Sequence, residues 1–396
     1  MAQSKQKRTE LKSSEFGKLV MLYRQQRGWT QGQLAEKWGY TREYVSQIER
    51  GKRKLDKQEQ VNKLADILEI PSERLEAVGK GISLREVVAQ TPAEADDVLF
   101  QTLLDSSLAT VKLSWLIWYA DQNTTVVENL ETLIARLEDA STKYRGTFLR
   151  PAQQILAYAY EMKGKMAFDH LRYREASGYF HEMQVLGEEL RNADLMALAM
   201  THQSDVLRKR GLYETAIRYL EAARPYAETA SPSVKGLRLL ILARAHAAYG
   251  ASSSFLRAID EAQELVTETR EDLDSLSNQF SLVEVLQERA QGYTLLWKPQ
   301  MALDIYQETD VLRPFRPLRD LGSYTIVKAQ AHAYNDDLDQ GVAYAVRGLE
   351  LATQYKSQRH VSRVQGMYDR LNVTPRGKHP RMRDLQDALH QAHKKI

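Results

Sequence analysis

The segment 42–54 carries polar and cationic side chains that one short helix and the loop after it would expose together. Val45 and Ile48 stand three apart and would face a core, which leaves the other side chains of that helix outside. The outward-facing set is Arg42, Glu43, Tyr44, Ser46 and Gln47. A guanidinium, an amide and hydroxyls together suit hydrogen bonding to base edges and phosphates. The run Gly51-Lys52-Arg53-Lys54 follows directly and would place three cations where a phosphate backbone passes.

Two short helices joined by a tight turn would position this polar face. Thr30 is predicted to cap the first helix, with Gln33 as its reciprocal partner in a capping box. Gly39 supplies the left-handed residue that ends this helix, and Thr41 caps the second one. The predicted buried positions of the first helix are Leu34, Ala35 and Trp38.

The residues Gln31-x-x-Leu34-Ala35, Gly39, Val45-x-x-Ile48-Glu49 and Gly51-Lys52 together resemble the XRE/Cro family of phage-type repressors, over Phe16 to Val78. The resemblance implies a five-helix, lambda-repressor-like DNA-binding domain over 13–79. In that family the second helix of the motif reads the major groove. The residues implied to face bases are Arg42, Glu43, Ser46 and Gln47, with Tyr44 able to do so as well. The residues implied to hold phosphates are Gln31, Thr41, Lys52 and Arg53. Trp38 departs from the smaller aliphatic residue usual in the family.

Charge and composition fit this expectation. Between Met1 and Lys57, 14 Lys and Arg oppose 6 Asp and Glu, a net charge of +8; since the whole chain carries +3, the remainder carries −5. Basic charge concentrated at one end favours salt-dependent docking on DNA. The sequence has no cysteine, which excludes disulfides and thiolate metal sites. The N-terminus is polar and no apolar run approaches the roughly twenty residues that span a bilayer, so we expect a cytoplasmic protein without a membrane partner.

The rest of the chain is divided by composition. Residues 1–12 are predicted to be a disordered basic arm, and 80–91 a linker, with Gly79-Lys80-Gly81 as its hinge. From 92 to 372 the pattern is helical almost throughout. The segment 373–396 is predicted to end in a capping helix after Pro380. The apolar run 115–118 is predicted to be core rather than a ligand site.

A repeat runs through the long helical part. A Tyr-x-x-Ala unit enters a helix at Ala176 and again at Ala216, and three later alanines continue it, at successive separations of 40, 42, 44 and 41 residues. Those alanines are Ala258, Ala302 and Ala343. Mostly small residues stand twelve positions before each alanine, as close helix crossings need: Gly164, Ser204, His246, Ala290 and Ala331. The pattern resembles the tetratricopeptide (TPR) repeat, with a period longer than the usual of about 34. It implies an α-solenoid of stacked helical hairpins and makes the fold class all-α.

A solenoid of this kind would have a concave inner face lined by the first helix of each hairpin. From the repeat alignment, the predicted lining residues are Tyr158, Glu161, Lys165, Thr201, Asp205, Arg208, Glu284, Gln287, Gln291, Thr294, Lys328, His332 and Asn335. The third repeat would be lined by the small residues Ala243 and Ala247. The polar set could grip a peptide backbone through amides, and its charges through Arg and Glu. The alternative is a set of ordinary solvated helix faces.

The combination of the two parts resembles the peptide-pheromone receptors of Gram-positive bacteria and their phages, the Rap, Rgg, NprR, PlcR and PrgX group with AimR. This resemblance implies a homodimeric transcriptional regulator of the quorum-sensing type, whose partners are double-stranded DNA and a short signalling peptide. Two alternatives stay open. The repeat part could bind a partner protein constitutively, as a DNA-tethered scaffold, or it could serve only to dimerise the chain.

Enzymatic chemistry finds no support in the sequence. No Gly-x-x-x-x-Gly-Lys loop or dinucleotide fingerprint occurs, and His181-Glu182 is followed by Val185 where a zinc motif needs its second His. His390 and His393 share one helix face without a third ligand, so we interpret them as a surface pair. We expect no catalytic activity, no cofactor and no metal site.

Overall fold

The computed structural model describes residues 13–27, 29–55, 57–70, 72–79, 93–120, 124–143, 148–268 and 280–396. Every regular element in these ranges is a helix, which confirms the all-α prediction for this part of the chain. The predicted arm (1–12) and the predicted linker with its hinge (80–91) lie outside it. The chain divides into two compact units, Met1–Phe100 and Gln101–Ile396.

The first unit contains five helices before residue 80: α1 (Ser13–Gln26), α2 (Gln31–Trp38), α3 (Arg42–Glu49), α4 (Gln58–Leu68) and α5 (Ser72–Gly79). Leu19, Leu34, Ile48 and Leu64 are almost completely buried at its centre. Gly17 lets α1 cross α3 closely, because a Cβ there would collide with the backbone oxygen of Ile48. The second helix of the predicted motif, α3, is thereby held against α1, and the first, α2, packs on α3.

The later helices are α6 (Ala93–Ala120), α7 (Thr124–Lys143), α8 (Leu149–Asp169), α9 (Tyr173–Leu190), α10 (Ala193–Lys209), α11 (Tyr213–Ala222), α12 (Arg224–Thr229), α13 (Pro232–Tyr249), α14 (Ser252–Glu268), α15 (Leu282–Leu295), α16 (Pro299–Leu312), α17 (Leu318–Tyr334), α18 (Leu338–Gln354), α19 (Gln358–Asn372) and α20 (Arg381–Lys395). A short 3-10 helix, Pro375–Lys378, precedes α20.

From α8 onward the second unit is an array of antiparallel helical hairpins. The pairs are α8 with α9, α10 with α11 and α12, α13 with α14, α15 with α16, α17 with α18, and α19 with α20. The first helix of each pair also packs on the first helix of the next. Within α20, Met382, Leu385 and Leu389 are buried in the same core as α18 and α19.

Small residues stand where the helices of a hairpin cross, as the repeat predicted, with one correction. A Cβ on Gly164 would collide with the Phe180 ring, so glycine is required for the crossing of α8 and α9. In the α17–α18 hairpin the predicted residue, Ala343, is exposed. Gly341 takes the close position instead, where a Cβ would lie 2.7 Å from the Ala333 Cβ. The repeat alignment was therefore wrong by two residues in this hairpin. The close position is the fourth residue of α18, as it is in α9, α11 and α16.

The array closes on itself through Asp169, the last residue of α8. Its carboxylate accepts hydrogen bonds from Arg319 of α17 at 2.6 Å, Ser357 at 2.8 Å and Arg359 of α19 at 3.1 Å. The three contacts join positions between 150 and 190 residues apart in sequence. Asp169 is 1% exposed, so the junction is buried. The first helices of the hairpins consequently surround an interior.

Candidate DNA interface and interior cavity

The turn between α2 and α3 has the local geometry that its residues predict. Thr30 Oγ1 accepts from the Gln33 amide at 3.2 Å, and Gln33 Oε1 accepts from the Thr30 amide at 2.8 Å. Gly39 adopts φ 81°, a left-handed conformation that a glycine tolerates without strain. Thr41 Oγ1 then accepts from the Tyr44 amide at 3.3 Å and caps α3. The predicted capping box and both caps are confirmed.

Most of the side chains predicted to contact DNA are exposed on one unit. The exposed ones are Thr41, Arg42, Glu43, Gln47, Lys52 and Arg53, and the half-buried ones are Gln31, Tyr44 and Ser46. The Gln47 carbonyl accepts hydrogen bonds from the amides of Lys52 at 2.9 Å and Arg53 at 3.2 Å. These bonds fold the basic loop back over the end of α3, so its cations lie next to the exposed face of that helix.

An aromatic cluster supports the second helix from the side of the turn. Tyr44 stacks on Tyr40 with ring centroids 4.6 Å apart and planes at 13°, and the buried Trp38 lies 4.4 Å from Tyr40. The Arg53 guanidinium lies over the Tyr44 ring at 4.4 Å. Trp38 is thus accommodated by two neighbouring tyrosines. The Tyr44 ring is partly occupied by these contacts, and Arg53 is held in place by one of them.

A buried ion pair fixes the other side of α3. Glu49, 6% exposed, accepts from Arg24 of α1 at 2.6 Å and 3.1 Å and from Gln31 at 2.8 Å. Arg24 also donates to the Trp29 carbonyl at 2.6 Å. The Gln31 amide, predicted to hold a phosphate, is therefore already donating to Glu49. Sequence reasoning missed Arg24, because its partner lies 25 positions away.

The second unit contains a cavity of about 1280 Å³ that is open on one side. One part of its wall is apolar and comes from α6 and α8. The apolar lining residues include Leu104, Leu108, Trp115, Leu116, Trp118 and Ile155. The run 115–118 was predicted to be core, and this was wrong in part: Trp115 is 2% exposed, but Leu116 is 68% exposed and both line the cavity. Helical periodicity is the same for a core face and for a cavity wall.

Another part of the wall is charged. Lys165, Arg359, Arg319, Arg313 and Glu284 line it. Arg319 is held by three acceptors: the Trp118 carbonyl at 2.9 Å, the Tyr355 carbonyl at 3.2 Å, and Asp169. It also lies 4.1 Å from the centroid of the Trp118 ring. Burial, followed by the Glu161 carboxylate, raises the pKa of the lining residue Tyr119 to about 12, so its hydroxyl stays neutral.

Beyond the charged wall, the first helices of the hairpins bring further ionisable groups together. The Arg208 guanidinium binds Asp205 through two nitrogens at 2.8 Å and 2.6 Å. Arg244 of α13 donates to Glu288 of α15 at 2.8 Å. Burial would raise the pKa of Asp205, but Arg208, Arg244 and Lys209 overcome it and hold that pKa below its ordinary value. The carboxylate therefore stays ionised at neutral pH.

The predicted lining residues divide between four locations. Tyr158, Lys165 and Glu284 line the cavity. Glu161, Thr201, Asp205 and Arg208 lie on α8 and α10 among the interior ionisable groups, with Glu161 and Thr201 fully buried. On α15, Thr294 donates to the Ala290 carbonyl at 3.0 Å, and Gln287 and Gln291 are half-buried.

The remaining three predicted residues, Lys328, His332 and Asn335, do not line the cavity. Their hydrogen-bond partners, in the same order, are Asp310, Asp337 and Gln300, on or next to helices adjoining α17. These positions carry over the two-residue error at Ala343, and the residues two positions earlier are buried between helices and do not line the cavity either. Gln330, two positions before His332, is buried and accepts from Arg363 of α19 at 3.0 Å.

The repeat alignment did not predict several residues that lie in the interior of the second unit. Ala243 and Ala247, predicted to line the third repeat, are buried between helices, and Arg244 beside them is the residue that reaches Glu288. The others missed are Asp169, Lys209, Arg319, Arg359, His360 and Arg363. For Arg244, the only local indication in the sequence was that a basic residue stands next to Ala243, a position predicted to be small.

Two kinds of feature, a metal site and a membrane-spanning helix, are absent from the described ranges of the chain. No group of three His, Asp or Glu side chains there could hold a metal ion. None of the helices described combines the length and apolar character needed to cross a bilayer.

Comparison with known proteins supports part of this picture. The comparison with curated proteins finds no match. Among solved structures, the chain is similar to the crystal structure of Bacillus thuringiensis PlcR in complex with the peptide PapR7 and DNA, with 14% identity and a TM-score of 0.36, covering 82% of this chain and 99% of that one. Residues 15–78 match a family model described as a helix-turn-helix domain. The first unit of this chain therefore contains a helix-turn-helix domain, in which α2 and α3 are the two helices of the motif.

Proposed function

We propose that this protein is a sequence-specific DNA-binding transcriptional regulator whose affinity for its operator is controlled by a short signalling peptide bound in the cavity of the second unit. The exposed face of α3 supplies the base-reading groups, and the loop at Lys52 and Arg53 supplies phosphate contacts. Two half-sites read by a homodimer would give the DNA affinity its steep dependence on a small change in protein conformation.

The cavity is the observation that carries the ligand-controlled part of the proposal. Drug-sized ligands occupy pockets of roughly 300–1,000 Å³, and this cavity of about 1280 Å³ is larger. Its wall combines an apolar part at Trp115 and Trp118 with the charged part at Lys165 and Arg359. A peptide offers apolar side chains, backbone amides and charged termini in one flexible ligand, so it matches this mixed lining.

The test begins with operator selection. The purified full-length protein selects its operator from random DNA, and pools of short synthetic peptides are then added during titration of the selected duplex. We expect at least one peptide sequence to change operator affinity, since control requires a coupling between the two ligands. Tyr158→Ala, at the cavity wall, should weaken the peptide effect, and Tyr226→Ala, exposed on α12, should leave it intact.

Operator affinity that no peptide changes would contradict the proposed control. The second unit would then be a docking surface for a partner protein or a dimerisation domain, and the DNA-binding part of the proposal would stand alone. A chain that selects no sequence from random DNA would overturn that part as well.

A further inference from the structure

The interior of the second unit carries more positive than negative side chains, and its carboxylates are already engaged. Asp169 accepts from two guanidinium groups, Asp205 from Arg208, and Glu288 from Arg244. Glu161, fully buried, lies 2.8 Å from the His202 Nε2. Each of these four carboxylates therefore has a nitrogen partner, although the second oxygen of Glu161 accepts no hydrogen bond from any described residue.

Three interior cations are left over from this pairing. Among the described residues, Lys165 of α8 and Lys209 of α10 make no ion pair, and the Arg363 guanidinium donates only to the neutral amide oxygen of Gln330. Seven basic side chains lie around the four carboxylates: Lys165, Arg208, Lys209, Arg244, Arg319, Arg359 and Arg363. The cavity wall also carries Glu284, Asp320 and Asp105 beside Arg313 and Lys112.

Burial and neighbouring charges shift the pKa values of the two interior lysines. Burial lowers the pKa of Lys165, although Asp205 and Glu161 oppose the shift. Burial, followed by Arg208, Arg363 and Arg359, lowers the pKa of Lys209 well below its ordinary value. Removing an unpaired cation from water is unfavourable unless an opposite charge compensates it. The interior is therefore a region of positive electrostatic potential, which an anion would compensate.

We propose that the cavity binds its ligand by an anionic group placed against Lys165, while the apolar part of the ligand packs on Trp115 and Trp118. This inference rests on the proposed function and specifies where in the cavity the anionic group and the apolar part of the ligand would lie. Lys165 lines the cavity itself. Lys209 and Arg363 do not line it, and they would favour an anion only through the positive electrostatic potential that they add near Lys165.

The chemistry of the remaining wall selects the kind of anion. A free phosphate would use the cationic wall and leave the apolar wall from Leu104 to Trp118 without contact. A peptide whose apolar side chains precede a free C-terminal carboxylate would use both. The glutamate or aspartate side chain of such a peptide is a second source of the same carboxylate chemistry.

The experiment compares two pools of acetylated tetra- to octapeptides of apolar composition, one with free C-terminal carboxylates and the other amidated. Each pool is incubated with the full-length protein, and retained peptides are quantified by mass spectrometry. We expect the acid pool to be retained at least about tenfold better than the amide pool, since one charge-assisted hydrogen bond is worth a factor of this size. Lys165→Met should abolish this preference. Lys328→Met is the matched control, because Lys328 is paired with Asp310 away from the cavity.

Equal retention of the two pools, or retention of neither, overturns the assignment of a terminal carboxylate. A separate arm follows thermal unfolding of the second unit in inorganic phosphate. Stabilisation of the parent protein that is absent in Lys165→Met, without retention of acid peptides, supports the anion site and assigns it to phosphate. Absence of both effects overturns the anion site altogether.

The outcome is independent of the control of DNA binding. Acid peptides that bind through Lys165 but leave operator affinity unchanged would support the anion site and contradict the proposed function. Peptides that change operator affinity equally as acids and amides would support the proposed function and contradict the anion site.

Discussion

Gln47 and Lys52 are neighbours on the surface of the first unit that we propose to bind DNA, but they differ in chemistry. Both are exposed, and the Gln47 carbonyl binds the Lys52 amide at 2.9 Å. An amide side chain on α3 can donate to and accept from one base, which gives sequence information. An ammonium in the loop is a point charge that any phosphate satisfies.

Replacement of Gln47 by alanine should weaken operator binding by about 1–3 kcal/mol at one base position and leave the other positions unchanged. Binding is measured against operators carrying each single base change. An equal loss on all sequences would contradict a base-reading role for this side chain.

Replacement of Lys52 by alanine should have the opposite character. Affinity should fall uniformly across sequences, and the slope of the logarithm of the binding constant against the logarithm of salt concentration should become shallower by about one unit. Titrations at several salt concentrations check this. An unchanged slope would show that Lys52 does not contact phosphate.

At the scale of elements, helix crossings in the second unit depend on individual glycines. Gly164 and Gly178 belong to the same hairpin, in α8 and α9, and have different surroundings. A Cβ at Gly164 would collide with Phe180, while at Gly178 it would meet nothing within 4 Å. The same substitution therefore has opposite consequences at the two positions.

Gly164→Ala should lower the free energy of unfolding by about 1–3 kcal/mol, because the crossing must open. Gly178→Ala should raise it by about 0.5–1 kcal/mol, because alanine loses less backbone entropy in a helix. Urea unfolding of the full-length variants measures both. Equal effects would indicate that Phe180 moves aside without cost.

The position of α3 depends on the buried pair of Arg24 and Glu49. Arg24→Ala leaves a buried carboxylate unpaired and should destabilise the first unit by about 3–5 kcal/mol. The double variant Arg24→Met with Glu49→Leu removes both charges and should recover most of this loss. Hydrogen exchange of amides in α1 and α3 reports the change locally; a double variant no better than the single one would locate the cost in lost packing.

At the scale of the whole chain, closure of the hairpin array involves a histidine that must remain neutral. His360 is fully buried, its Nε2 lies 2.9 Å from an Arg359 nitrogen, and its Nδ1 lies 2.9 Å from the Tyr355 hydroxyl. Since the guanidinium can only donate, Nε2 accepts, and the ring proton resides on Nδ1. Burial, followed by Arg359, lowers the pKa of His360 well below its ordinary value.

Stability of the second unit should therefore fall as the pH decreases through the pKa of an unfolded histidine, about 6.5. The unfolded state takes up a proton that the folded state refuses, so the loss from His360 between pH 7.5 and 5.5 should be about 1.4 kcal/mol. His360→Gln should remove this part of the pH dependence, as measured by urea unfolding at the two pH values. The same slope in the variant and the parent would mean that His360 binds its proton equally well in the folded and unfolded states.

The sequence by itself determined the features that depend on neighbours a few residues apart. The capping box at Thr30, the left-handed Gly39 and the cap at Thr41 follow from local hydrogen bonding, and each was predicted correctly. The all-α class and the close crossing at Gly164 follow from helical periodicity and from small residues at a fixed spacing. The same reasoning placed Tyr158, Lys165 and Glu284 on an inner surface, and all three line the cavity.

Tertiary structure alone decided which charges meet. Arg24 and Glu49 are 25 residues apart, and Asp169 is 150 from Arg319 and 190 from Arg359. Helical periodicity gives the face of each residue but not the register of one hairpin on another. A two-residue change of register moved the interior position from His332 to Gln330. Residues so far apart in sequence can form an ion pair only if the hairpin array curves enough to bring its two ends together. That curvature is the sum of the crossing angles of all its helices, which no local segment of sequence determines.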